Sequence, residues 1–259
     1  MKNKFSAIDY VLMVATVAVI FLFWAMATNF EWIDTKLFPT PQKVWDAFIE
    51  LCKNGYMGNS LATHFFSSMK RLLIAFLIAI VTAVPLGLAS GYNSKIRAIL
   101  EPVIEFYRPL PPLAYYTLLV LWMGINDESK IALLFLACFA PIYISCASGV
   151  LKIAPNFLHN ATTLGAGKMQ TFFHVVFPFC MPEMFVGMRT ALGVGYTTLI
   201  ASEMVAARSG IGWVVLDAYN WMRSDIVFVG IIIMGVTGIV LDRLIRLIEI
   251  KVVPWNGRE

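Results

Sequence analysis

Three histidines, four cysteines, a glycine-rich basic turn and two charges set inside apolar runs are the side chains of this 259-residue chain that could do chemistry. His64, His159 and His174 are dispersed, with no His-Glu-x-x-His pair to hold zinc on one helix face. Cys52, Cys138, Cys146 and Cys180 form no Cys-x-x-Cys pair, so all four are expected as small buried apolar residues rather than metal ligands. Gly165-Ala-Gly167-Lys168-Met169 has part of a phosphate-binding loop, but Thr162 stands five before Gly167 and Met169 replaces the metal-binding hydroxyl. No strand precedes it, and no serine sits in a nucleophile elbow. The reading is of a chain with no catalytic residues, no metal and no ATP site of its own.

The charges inside apolar runs are Arg189 and Glu203. On one straight helix they lie about 21 Å apart, too far to pair with each other. A charge in a span is costly and marks function by default, so both are candidates for a gate or for the electrostatics of a path. Snorkelling or pairing near the interface is the plainer account of Arg189. Tyr196, Thr197 and Thr198 form a polar cluster near the middle of the same run, and Tyr143 with Ser145 forms a second. These five are candidate path residues, although a threonine hydroxyl in a helix commonly returns to its own carbonyls.

The elements that position these residues are membrane spans. The chain is 59% hydrophobic and 14% charged, with mean hydropathy +0.75, which excludes an ordinary soluble domain. Apolar runs able to cross a core of about 30 Å occur at Tyr10–Thr28, Leu72–Tyr92, Pro109–Asn126, Ile131–Leu151, Met184–Ser202 and Ile226–Leu241. The fold class is therefore an all-α integral membrane protein with six transmembrane helices. The first run ends in Trp24 and Met26 rather than a small-residue cleavage site, and reads as a retained helix.

Positive residues set the sidedness. Lys2, Lys4, Lys95, Arg97, Arg108, Lys152, Lys168, Arg243, Arg246, Lys251 and Arg258 share one face, against Lys130, Arg208 and Arg223 on the other. Both termini are thus expected in the cytoplasm. Lys70 and Arg71 argue the other way, but they end a long loop, which obeys the rule poorly. The net charge of +4 follows from basic loops and implies no nucleic acid.

Between the first two spans, Thr40 is a candidate N-cap, Pro41 a first helical residue, and Val44, Phe48 and Leu51 one apolar stripe. This predicts an amphipathic helix lying on the outer membrane surface. Lys95–Pro112, ending in Arg-Pro-Leu-Pro-Pro, predicts a rigid cytoplasmic connector. Pro85 and Pro141 should kink their spans. Gly187, Ala191 and Gly195, like Gly87 and Gly91, recur every four residues and predict close helix packing.

One polar loop carries more. His159-Asn160-Ala161-Thr162-Thr-Leu-Gly165, nine further residues, then Val175-Val-Phe177-Pro178 resembles the EAA loop of ABC importer permeases. That pattern is Glu-Ala-Ala, three residues, Gly, nine residues, Ile-x-Leu-Pro. His159 and Asn160 depart from it. Further motifs agree: Pro39-Thr-Pro41, Glu101-Pro102, Arg108-Pro-Leu-Pro-Pro112-Leu-Ala114, Trp122-Met-Gly124, Ala140-Pro141, Pro182-Glu183, Gly187-Met-Arg189, Gly193-Val-Gly195-Tyr196 and Pro254-Trp255-Asn-Gly257. They are similar to the branch of permeases importing taurine, alkanesulfonates and nitrate, and most similar to the taurine permeases. Tyr196 stands where those usually carry Trp.

The resemblance implies a type I ABC importer transmembrane domain in the bacterial inner membrane, moving taurine or a related sulfonate by alternating access. Nitrate and thiamine precursors are the alternative cargoes, and an ATP-independent channel or a membrane enzyme the alternatives of class. Its implied partners are a second copy of the chain, two ATPase subunits that bind ATP and Mg, an extracytoplasmic substrate-binding protein and membrane lipid. In that reading residues 1–71 hold the first helix and outer loop, 72–245 the core, and 246–259 a cytoplasmic tail. The segment at about 155–178 would be the coupling loop, with Ala161 and Gly165 against the ATPase and Pro178 breaking the helix behind them.

Overall fold

The computed structural model describes residues 7–30 and 32–255. Lys2, Lys4, Gly257 and Arg258, used above, lie outside the described residues. The helices in chain order are α1 (Ala7–Asn29), α2 (Pro41–Asn54), α3 (Leu61–Tyr92), α4 (Ser94–Tyr107), α5 (Pro112–Met123), α6 (Asp127–Leu151), α7 (Pro155–Thr163), α8 (Lys168–Thr171), α9 (Phe177–Ala206), α10 (Ile211–Asn220) and α11 (Ser224–Val252). Among the described residues five helical stretches are long and apolar enough to cross a membrane, and α5 is a shorter apolar helix. At 12 residues α5 measures about 18 Å, less than a bilayer core. The expected third span is trimmed at one end by Pro111 and Pro112 and at the other by Gly124, whose φ of +81° no continuing helix can use. Three other spans outrun their expected bounds: α3 starts at Leu61, α9 at Phe177, and α11 continues into the expected tail as far as Val252.

The centre of the fold is α6, gripped between α3 and α9. Lipid gives apolar helices no hydrophobic reason to associate, so close approach of small residues must supply the packing. A Cβ on Gly87 would lie 2.6 Å from the Tyr143 carbonyl oxygen, and one on Gly91 2.5 Å from Val150 Cβ. On the other side, a Cβ on Gly187 would lie 2.6 Å from Ser145 Cβ and one on Gly195 2.5 Å from the Cys138 sulfur. Both four-residue glycine repeats therefore serve packing within the chain. Pro85 and Pro141 sit inside continuous helices in this layer.

Helix α2 forms as expected, with Lys43 N donating to Thr40 Oγ1 at 3.3 Å. Its apolar stripe, however, packs on protein rather than lying on a membrane surface. Val44, Ala47 and Leu51 join Val214, Ala218, Ile226 and Val229 in a second core beneath α10 and α11. Trp24 pins α1 to this corner: its Nε1 donates to the Pro39 carbonyl at 2.9 Å and its ring stacks on Phe228. Residues 11–23 of α1 are exposed, with Ala27 and Thr28 buried at its C-terminal end. The expected rigid connector is mostly helix, α4 accommodating Pro102, and only Arg108–Pro111 is irregular. Cys138, Cys146 and Cys180 are buried as expected, whereas Cys52 is exposed on the polar face of α2.

Candidate functional site

The polar loop after α6 folds into α7, a nine-residue helix with an exposed outer face. His159, Asn160 and Thr162 are exposed; the His159 carbonyl accepts from Thr162 Oγ1 at 2.8 Å and Thr163 Oγ1 at 2.9 Å. Ala161 turns the opposite way and is only 9% exposed, buried against its own chain. The face that a partner could meet carries Phe157 and Leu164, the latter 87% exposed. Gly165 has a backbone task. Its φ is +83°, and paired bonds from Gly165 N to the Thr162 carbonyl and from Ala166 N to the Ala161 carbonyl, both 3.0 Å, close the helix end.

Pro178 does not break a helix. The chain stays helical from Lys168 to Ala206, with Pro178 as the second residue of α9. Proline has no N–H for the carbonyl four residues back and its ring crowds that carbonyl. The backbone widens instead into a π-turn at Phe172–Val176, where Phe177 N reaches the Phe172 carbonyl.

The five path candidates do not share one face. The Tyr196 hydroxyl donates to the Met234 carbonyl on α11 at 2.8 Å, so it is turned toward α11 within the chain. Thr198 and Tyr143 are buried in the α3/α6/α9 packing. Thr197 is exposed, its hydroxyl returned to the Val194 and Gly193 carbonyls at 2.9 and 3.3 Å, and it shares an exposed stripe of α9 with Thr190, Gly193 and Val194. Ser145 lines a cavity of about 400 Å³ between the α4–α5 turn, α6 and α9.

Arg189 pairs with Asp242 at 3.2 Å and Glu249 at 3.8 Å, tying α9 to α11 at a partly exposed position. Glu203 is different: 1% exposed, it is the centre of a buried polar network. It accepts from Arg71 Nη1 at 2.7 Å, from Ser68 Oγ at 2.7 Å and from Gly212 N at 3.0 Å. Arg71, 4% exposed, also reaches Asp127 at 2.7 Å and the carbonyl and hydroxyl of Ser209 at 2.8 and 2.9 Å. Nearby, Gly210 N donates to His64 Nδ1 at 3.3 Å, which leaves the proton on Nε2 for the Tyr56 carbonyl at 3.2 Å. Two ion pairs made by Arg71 thus fasten α3 to the start of α6 and the end of α9, and its bonds to Ser209 add the turn into α10.

Sequence reasoning found Glu203 and missed Arg71, Ser68, Asp127 and Ser209, because their partners lie more than fifty residues away in the chain. The one available signal was Arg71 itself, a cation on the wrong side by the charge rule. Just outside the spans, burial and Asp217, which accepts from Tyr56 Oη at 2.8 Å, push the Tyr56 phenol above its usual range. Among the described residues no group of three or more His, Cys, Asp or Glu side chains could hold a metal.

A sequence profile described as "Binding-protein-dependent transport system inner membrane component" matches residues 83–253. The taurine transport system permease protein TauC of Escherichia coli is 35% identical over 247 residues, covering 95% of this chain and 90% of its own. The putative aliphatic sulfonates transport permease protein SsuC of the same organism is 34% identical, covering 90% and 87%. The nitrate import permease protein NrtB of Synechocystis is 28% identical, covering 92% and 87%. A matched region spanning two-thirds of the chain, with five long apolar helices and the exposed helical loop between α6 and α9, places this chain in the family of inner membrane components of binding-protein-dependent transport systems.

Proposed function

We propose that this chain is the membrane subunit of an ATP-driven importer whose cargo is taurine or a closely related sulfonate. The observation that carries the cargo class is the 35% identity to a taurine permease along nearly the whole chain, with the aliphatic sulfonate permeases of Escherichia coli and Bacillus subtilis at 34% and 29% and the nitrate permease at 28%. The chain works as a pair. Exposure along most of α1 and on the Thr190–Thr197 stripe of α9 supports a second copy across which the path runs, with lipid around the rest. Two ATPase subunits dock on α7 and supply all nucleotide chemistry, and a substrate-binding protein delivers cargo from outside. ATP binding favours the outward state and hydrolysis restores the inward one, because each ligand binds one state better than the other.

The test is the complex reconstituted in vesicles with its ATPase and binding protein. Taurine should stimulate ATP hydrolysis and accumulate inside, alkanesulfonates should do so less well, and nitrate should do neither. Stimulation by nitrate alone would overturn the cargo assignment, and uptake without the ATPase subunits would favour a channel.

The same reading places both termini and α7 in the cytoplasm and the α2 segment outside. A membrane-impermeant thiol reagent on intact cells should label Asn59→Cys and spare Asn156→Cys, both in a Cys52→Ser background. The reverse pattern would invert the topology.

A further inference from the structure

The cavity lined by Ser145 brings a cation beside neutral hydrogen-bonding groups. Arg108 stands exposed at its rim, in the short turn between α4 and α5. Arg71, Arg189 and Arg223 each hold a carboxylate, but Arg108 has no ion-pair partner among the described residues. A guanidinium presents a fixed fork of donors suited to an oxyanion. The hydroxyl of Tyr107, which also lines the cavity, is buried without a hydrogen-bond partner. Ala137 and Pro141 also line the cavity, and because residue 141 has no N–H, the Ala137 carbonyl lacks its helical donor. Thr190 Oγ1 donates to the Val186 carbonyl at 3.0 Å, which leaves its own lone pairs free to accept. The cavity therefore offers one cation and a set of neutral acceptors, with no carboxylate on its wall.

We propose that this cavity is a station for a zwitterionic aminosulfonate on its way through the membrane. Arg108 takes the sulfonate, and the Ala137 carbonyl and Thr190 hydroxyl take the ammonium. Neutral acceptors hold the ammonium weakly, which suits a site that must release its cargo. At about 400 Å³ the cavity is large enough for a small solute with water around it. The inference rests on the importer reading above and names a cargo-contacting site within it.

The test uses the assembled complex carrying Ser145→Cys in a Cys52→Ser background. The introduced thiol is labelled with 2-sulfonatoethyl methanethiosulfonate, itself a small sulfonate, and with its trimethylammonium counterpart. The ratio of anionic to cationic labelling rates should fall about tenfold when Arg108→Gln is added. Taurine should slow labelling in the Arg108 form, and ethylamine should not. If Ser145→Cys does not assemble, Val194→Cys, also on the cavity wall and on the exposed stripe of α9, carries the same measurement. A rate ratio indifferent to Arg108, or protection by nitrate without protection by taurine, overturns the proposal. Taurine uptake by the complex with native Arg108, Ser145 and Thr190 separates the two levels of inference. Uptake without protection sinks the cavity alone, and the absence of both sinks the cargo reading with it.

Discussion

Arg71→Leu should destabilise the chain by about 3–5 kcal/mol, the usual cost of leaving a buried carboxylate without its cation. Glu203 would then keep only Ser68 Oγ and Gly212 N, and four hydrogen bonds from one guanidinium would go at once. Most of the loss belongs to Glu203. Asp127 is half exposed, and its pairing with Arg71 is worth about 1 kcal/mol or less. Glu203→Gln, which keeps the shape and one acceptor, should cost less than Arg71→Leu. The double variant Arg71→Leu/Glu203→Gln should be less destabilised than the two single effects added together, since the orphaned charge is gone. Thermal denaturation of the purified complex in detergent measures all three. A loss under about 1 kcal/mol for Arg71→Leu would show that water reaches the network.

Leu164→Asp should weaken binding of the ATPase subunits by at least about tenfold while leaving the isolated permease as stable as before. Burying a leucine at an interface is worth roughly 1.5–3 kcal/mol, and 1.4 kcal/mol is tenfold in affinity. The side chain is 87% exposed and makes little contact within the chain, so folding should change by under about 0.5 kcal/mol. Gly165→Trp is the poorer probe. At φ +83° any side chain is strained whether or not a partner is present, so a loss of function there would not locate the interface. Titrating ATPase subunits onto the permease, with thermal stability measured in parallel, gives both numbers. Unchanged affinity for Leu164→Asp would move the docking face off the end of α7.

The neighbouring polar residues show where reading the sequence reached its limit. Thr40 and Pro41 announced α2 correctly because a cap and a first-turn proline act within three residues. The destination of the stripe behind them was hidden. Val44 and Leu51 are equally suited to lipid and to protein, and only the position of α11 decides between them. Pro178 shows the same limit inside one helix. Its missing donor is legible, but whether the chain breaks or widens into a π-turn depends on how much the surrounding bundle gains from keeping Lys168–Ala206 continuous.

The sequence by itself determined the membrane class, the apolar runs that most of the long helices contain and the glycine faces that pack, and its motifs resemble those of importer permeases. The first three are written in local composition or in a period of a few residues, which hydropathy and helix geometry read directly, whereas the resemblance rests on matching motifs. Only the tertiary structure decided that Arg71 and Glu203, 132 residues apart, form one buried pair. It also decided that Ala161 faces inward while Leu164 faces out, that Tyr196 and Thr197 part company, and that Arg108 stands at the rim of the cavity that Ser145 lines. Those outcomes depend on how each helix is rotated about its axis and which helix lies beside it. The choice is made by close approach between distant segments, and nothing in the residues on either side records it.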